Sequence, residues 1–310
     1  MTGASALEAA PPSSRDVAPG DAVAPPPPRR KGASPAGPVG VTTRLAGGRW
    51  LVHAMDTVFS IASPEVAGRS DADALIASIA GSLAATEQTM SVFREDSEIS
   101  RYRRGEITHD QLSAATREVI AACDHLERQT EGVFSAHWDG GVDPTGYVKG
   151  WALARAAHVL DRWGVASYCI NGGGDIVARG DGPDGVGWRV GIAHPYRPGE
   201  LATVVTAIPG DDRCLAVATS GTSERGRHIV NPVDGWRPER SSVTVVGHDI
   251  ALVDAVATAA LAAGRAGRGA SAAMVRHFEL EAFGFDEDGR PWWTPGMARY
   301  ALLPQPQGSD

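Results

Sequence analysis

Val142 to Gly180 reads VDPTGYVKGWALARAAHVLDRWGVASYCINGGGDIVARG, and its punctuation sets the architecture. Asp143-Pro144-Thr145-Gly146 is turn chemistry: a carboxylate to accept from its own backbone, a ring that presets φ, and a glycine for positive φ. The apolar spacing of Trp151, Ala152, Ala156, Val159, Leu160 and Trp163 predicts a helix from near Lys149. Gly164 stops it, and Val165 to Ile170 has strand composition. Gly172-Gly173-Gly174-Asp175 then turns the backbone sharply and leaves amides open to a close neighbour.

Of the 29 Lys and Arg residues, only Lys31 and Lys149 are lysines. Lys31 lies in a tail, so Lys149 is the one lysine of the folded part. A compact ammonium on a flexible stem beside a helix start suits an anion, most simply a phosphate. The alternative is an incidental surface lysine.

A chain of 310 residues has room for one large domain or two modest ones. Apolar content of 43% and charged content of 21% are ordinary for a globular protein. The net charge of −8 argues against a nucleic-acid partner. Cys123, Cys169 and Cys214 are scattered and odd in number, which argues against a disulfide framework or zinc site and fits a reducing compartment. The most apolar stretch, Ile250 to Ala263, is too short to span a membrane and carries Asp254. Residues 1–40 hold nine of the 21 prolines and read as a disordered tail, without the basic start and apolar run of a signal peptide. The folded domain is therefore expected over 41–304, followed by a flexible 305–310, in a cytoplasmic protein.

Strands are expected over Arg49–Met55 and Thr57–Ala62, broken at Asp56. A helix follows from Ser70, with Ser70 and Asp73 as its capping pattern, to about Met90. Ser91 to Glu98 reads as a polar loop in which Phe93 is either a stacking surface for a planar ligand or a core anchor. Another helix is expected over Thr116–Gln129. Further strands fall at Gly187–His194, Leu201–Ile208, Leu215–Ala218 and Ser242–Val246, with Thr219-Ser220-Gly221 in the loop between the last two. A helix at Ser271–Phe278 and a hairpin of Glu281–Phe285 with Pro291–Trp293 end the chain. Strands mixed with a few helices, without regular βαβ alternation, predict an α+β fold.

The helix Ile250–Leu261 is apolar on nearly every side, yet Asp254 and Thr258 share one face. Burying an unpaired carboxylate costs several kcal/mol, and no basic residue lies at helical spacing to offset it. A hard metal ion would satisfy both Asp254 and the Thr258 hydroxyl; alternatively this end of the helix faces solvent. His228, between two strands and beside Asn231-Pro232, sits where ligand-binding loops gather. Lysine, glycine turns, an Asp/Thr pair and a loop histidine together suit metal-assisted phosphoryl chemistry.

These residues, in this order, resemble the ApbE family of flavin transferases. The resemblance runs from about Met55 to Leu302, through Met55-Asp56-Thr57-x-Phe59-Ser60, Asp96-Ser97-Glu98-Ile99-Ser100 and Asp143-x-x-Gly146-x-x-Lys149-Gly150. It continues through Gly173-Gly174-Asp175-Ile176, Thr219-Ser220-Gly221, His228-Ile229-Val230-Asn231-Pro232 and Asp254-Ala255-x-Ala257-Thr258. It implies mainly antiparallel sheets flanked by helices around a central nucleotide cleft. It also implies transfer of FMN from FAD, with magnesium, onto a threonine of an acceptor flavoprotein, with release of AMP. By motif, Asp254 and Thr258 with the carbonyls of Gly146 and Ala257 would hold Mg2+. Met55, Phe93, Val133, Phe134, Ser135, Asp143, Lys149 and Val230 would line the FAD site, and His228 would activate the threonine. The family usually has Gly at Asp56, Tyr at Phe93, Asp at Ser135, an acid at Ala154 and Asp at Asn231. The usual lipoprotein signal is also missing, which suggests an acceptor reached from the cytoplasm. A magnesium-dependent FAD pyrophosphatase and a non-catalytic FAD-binding protein remain open as alternatives.

Overall fold

The computed structural model describes residues 40, 42–208, 211–222 and 229–303. It begins with strands β1 (Thr42–Leu45), β2 (Arg49–Ala54) and β3 (Thr57–Ala62). Helices α1 (Pro64–Ala67), α2 (Ala72–Met90), α3 (Glu98–Arg103), α4 (Ala114–Gln129) and α5 (Thr145–Arg162) follow. Strands β4 (Tyr168–Gly172), β5 (Asp175–Arg179), β6 (Arg189–Ala193), β7 (Leu201–Thr206), β8 (Leu215–Gly221) and β9 (Ser242–Gly247) come next. Helices α6 (Ile250–Ala263) and α7 (Arg268–His277) precede the closing strands β10 (Glu281–Phe285) and β11 (Pro291–Trp293).

The fold is α+β. Nine strands form one antiparallel sheet in the order β1-β2-β3-β4-β5-β8-β9-β10-β11, and β6 pairs with β7 separately. The chain inserts α1 to α5 between the neighbours β3 and β4, and α6 and α7 between β9 and β10. It inserts β6 and β7 between β5 and β8. Strand alternation then decides which insertion each side chain meets. On β9, Val243 and Val245 pack with α2, α5 and α6, while Val246 packs with Trp188, Val190 and Val205. Strands covered on both faces need apolar residues at successive positions, and β4 is buried along its whole length.

A further layer lies outside the helices. Ile99 of α3 and Val119, Ile120 and Leu126 of α4 pack against Trp151 of α5 and Ala251, Ala255 and Ala259 of α6. Helix α6 thus has the sheet on one flank and α4 on the other, so it is apolar all round. Phe59, Leu153 and Val253, all fully buried in the core facing the sheet, each contribute about 1.5–3 kcal/mol. Among the described residues no helix is long and apolar enough to cross a membrane.

Several local expectations change. Helix α5 starts at Thr145 rather than near Lys149, because Pro144, at its N-cap, accepts from the N–H groups of Tyr147 and Val148. Helix α2 is not capped by Ser70 with Asp73: Asp71 holds that position, its carboxylate engaged by Arg69. The polar loop ends at Ser97, whose hydroxyl caps α3 by accepting from Ser100 N–H. Thr219-Ser220-Gly221 is the end of β8 rather than a loop, since it stays paired with Ser242, Val243 and Thr244. Strand β1 and helix α1 had no counterpart in the sequence reading. At the β2–β3 hairpin Met55 and Asp56 take positive φ, 52° and 54°. The Met55 N–H is held by Glu87 Oε2 at 2.6 Å, and a short polar side chain makes Asp tolerable in that conformation. The expected tail and C-terminal segment lie outside the described residues, apart from Gly40.

Candidate active site

The site begins where α5 starts. Asp143 donates its N–H to Ala136 O at 2.7 Å and accepts from Thr145 N–H at 3.0 Å. The first N–H groups of a helix have no partner within it; here those of Thr145 and Tyr147 have acceptors in Asp143 and Pro144, and Val148 N–H makes the first regular helix bond, to Pro144 O. Of the first-turn amides, those of Thr145 and Tyr147 are therefore satisfied from within the chain.

One turn further, α5 meets α6 at Gly150. A Cβ there would lie 2.6 Å from Ile250 O, 2.8 Å from Asp254 Cβ and 2.9 Å from Ala251 Cα, so only glycine permits this approach. The Gly150 N–H donates to Asp254 Oδ2 at 2.9 Å. A regular helix directs that same N–H at the carbonyl of Gly146, so the carboxylate draws on the donor of that carbonyl. Gly146 stands beside Thr258: a Cβ on it would be 3.8 Å from Thr258 Cγ2 and 3.0 Å from the Phe134 ring. The Thr258 hydroxyl lies 3.3 Å from Ser220 Oγ.

Lys149 completes the group. Its ammonium is paired with Asp175 Oδ2 and stands 3.6 Å from Asp254 Oδ1. Asp175 is 1% exposed, and its Oδ1 accepts from Thr219 N–H at 3.2 Å. Two buried carboxylates thus face one ammonium. Burial pushes the Asp254 carboxyl up to about 7, with Lys149 opposing and Asp175 adding to the rise.

A sequence profile of the ApbE family matches residues 55–139 and 137–284. The chain belongs to the ApbE family. A FAD:protein FMN transferase of Vibrio cholerae is 30% identical over 168 residues, or 51% of this chain and 48% of that protein. Another of that name from Escherichia coli K12 is 25% identical over 174 residues, covering 52% and 48%. The chain spans about half the length of the curated relatives it matches. Among solved structures, the flavin transferase ApbE of Vibrio cholerae has a TM-score of 0.67 at 22% identity, covering 81% of this chain and 98% of that one. The flavinyl transferase ApbE of Pseudomonas stutzeri has a TM-score of 0.67 at 20% identity, covering 80% and 94%. These two likenesses carry the fold.

Against the ApbE motifs, the structure gathers Gly146, Lys149, Asp254 and Thr258 at one helix crossing, with Phe134 against it. Phe134 is buried in the outer helical core. Ala257 is fully buried on α6. Met55, Val133, Ser135, Asp143 and Val230 are half-buried, and Phe93 is 85% exposed. Ser135 Oγ accepts from His137 N–H at 2.9 Å. His228 lies outside the described residues. Asn231, where the family usually has Asp, is structural: its amide donates to Ala262 O at 3.2 Å and its carbonyl accepts from Val233 N–H at 3.0 Å. A cleft of about 300 Å³ between α7 and β11 contains none of these residues.

The residues fit magnesium. A carboxylate, a hydroxyl and backbone carbonyls are hard oxygen donors, and the two buried carboxylates Asp175 and Asp254 share the single ammonium of Lys149. Sequence reasoning gave no role to Asp175, Gly150 or Ser220. An acid opening an otherwise apolar strand was the signal available for Asp175.

Proposed function

We propose that the chain is a magnesium-dependent FAD:protein FMN transferase. It moves FMN from FAD to a threonine hydroxyl of an acceptor flavoprotein and releases AMP. The observation that carries this reading is the α5–α6 crossing, where the buried Asp254 accepts from Gly150 N–H and shares Lys149 with Asp175, and Gly146 lies beside Thr258. Family membership and relatives named FAD:protein FMN transferase supply the substrate.

Asp254, Thr258 and the carbonyls of Gly146 and Ala257 would hold the ion, which would supply positive charge for the FAD pyrophosphate. Phe93 offers an exposed ring face to the flavin, and Met55, Val133, Ser135 and Val230 border the same ligand. Asp143 fixes the first turn of α5 beneath it. His228 takes the proton as the threonine oxygen bonds to the FMN-side phosphorus, and the bond to the bridging oxygen breaks so that AMP leaves with it. An imidazole is suited to that transfer near neutral pH. Residues 41–304 form the transferase domain, with 1–40 and 305–310 outside it. We take the compartment to be the cytoplasm, a reading supported by three cysteines that form no disulfide.

The test is incubation with FAD, Mg2+ and candidate flavoproteins, read as fluorescence of covalently held flavin on a denaturing gel. His228→Ala is expected to bind FAD and transfer nothing. Equal release of FMN and AMP with and without acceptor, and no labelled acceptor, would replace the transferase with a pyrophosphatase. FAD recovered unchanged would replace it with a binding protein.

A further inference from the structure

We infer that Asp175 is a positioning residue: it holds the Lys149 ammonium off Asp254, so that Asp254 Oδ1 stays available to a divalent cation. This rests on the magnesium reading proposed above. Each carboxylate has one oxygen fixed by a backbone amide, Asp175 Oδ1 by Thr219 N–H and Asp254 Oδ2 by Gly150 N–H. Each turns its other oxygen toward Lys149. The ammonium is in contact with Asp175 and stands 3.6 Å from Asp254, beyond hydrogen-bond reach.

The asymmetry follows from where the two acids sit. Asp175 opens β5 directly after the Gly173–Gly174 turn and is paired in register with Gly172. Gly172 is itself packed so closely on Phe59 that a Cβ would come within 2.6 Å of the ring. The turn is pinned by Asn171 Oδ1, which accepts from Gly174 N–H at 3.0 Å. Asp175 is thus anchored in the centre of the sheet, whereas Lys149 has a flexible four-carbon stem. With the charge of Asp175 removed, the ammonium needs to move only about 0.8 Å to reach the ~2.8 Å of a charge-assisted bond to Asp254. Its protons then occupy the oxygen that the cation needs.

Binding of Mn2+ alone, followed by the electron spin resonance of the free ion, reads this without FAD or turnover. Asp175→Asn preserves shape and the acceptor for Thr219 N–H, and is expected to weaken Mn2+ binding about 10- to 100-fold, as for other residues that orient a ligand. Lys149→Met in that background is expected to restore wild-type affinity. Lys149→Met alone tightens binding, by a factor clearly smaller than the loss in Asp175→Asn. That non-additivity separates positioning from net charge. If the loss and the gain match, the two residues act only as charges and the inference falls. If the double variant stays weak, Asp175 is itself a ligand or a structural acid, and the inference also falls. Unchanged binding in Asp175→Asn overturns it directly. Asp175→Ser serves as the neutral variant if the asparagine does not fold. A wild-type protein that binds no Mn2+ sinks the magnesium reading along with the inference, whereas wild-type binding with matched effects sinks the inference alone.

Discussion

Replacing Gly150 with alanine sets two opposed energies against each other, and the structure decides the sign. In a helix interior Gly→Ala ordinarily stabilises by about 1 kcal/mol, through chain entropy. At Gly150 the added methyl would meet Ile250 O, Asp254 Cβ and Ala251 Cα at 2.6–2.9 Å. None of these is the far end of a flexible chain. With three contacts under 3 Å, two of them to backbone atoms, the cost falls in the upper part of the overpacking range, about 2–3 kcal/mol, so the net expectation is a loss of about 1–2 kcal/mol. At about 2–4 °C per kcal/mol for a domain of this size, the thermal midpoint falls by about 2–8 °C. Gly81 provides the control: it lies in α2, is exposed, and a methyl there meets nothing within 4 Å. Gly81→Ala is expected to raise the midpoint by about 2–4 °C. Circular-dichroism melts of both variants measure the pair. If Gly150→Ala melts at or above wild type while Gly81→Ala behaves as stated, α5 and α6 are not packed this closely, and the geometry drawn around Asp254 fails with them.

Other expectations are more direct. Asp254→Ala should abolish both Mn2+ binding and flavin transfer, since it removes the one carboxylate of the inferred ligand set; retained transfer would discredit the assignment. The raised Asp254 carboxyl makes proton and cation compete, so Mn2+ affinity should fall about tenfold per pH unit below about 7 and level off above it. For the metal-free protein the sign is opposite. Between the ordinary carboxylate value of 3.8 and about 7, the folded state keeps a proton that the unfolded state has lost. Raising pH through that window therefore removes stability, and melts from pH 5 to 8 with and without Mg2+ should diverge. Phe93→Ala should raise KM for FAD about three- to tenfold through lost stacking, with no change in melting because the ring is exposed; a lowered midpoint would make Phe93 a packing residue instead.

Legibility varied with the range of the interactions involved. The α+β class was readable because strand composition and helical spacing are local patterns. Asp254 was conspicuous because a carboxylate in an apolar helix contradicts its surroundings. Its partners were hidden, since Gly150 and Lys149 reach it across more than a hundred residues of chain. No spacing rule along α6 could supply them. The start of α5 was misplaced because Pro144 O, rather than a side chain, satisfies the first-turn amides. At α2 the helix starts one residue later than the expected Ser70 cap, with Asp71 at the N-cap and its carboxylate paired with Arg69 instead of a helix amide. His228, the residue on which turnover depends in this reading, is carried by motif alone.

Because α6 is enclosed on both flanks, it offers no surface on which sequence can drift. Any enlargement along Val253–Leu261 presses either on the sheet or on the outer helices, and any shrinkage leaves a void between them. The Asp254 carboxylate is therefore carried on a helix confined by neighbours on both sides. Room for substitution is left instead at exposed positions off this helix, such as Glu95 in the loop before α3 and Trp138 between α4 and α5.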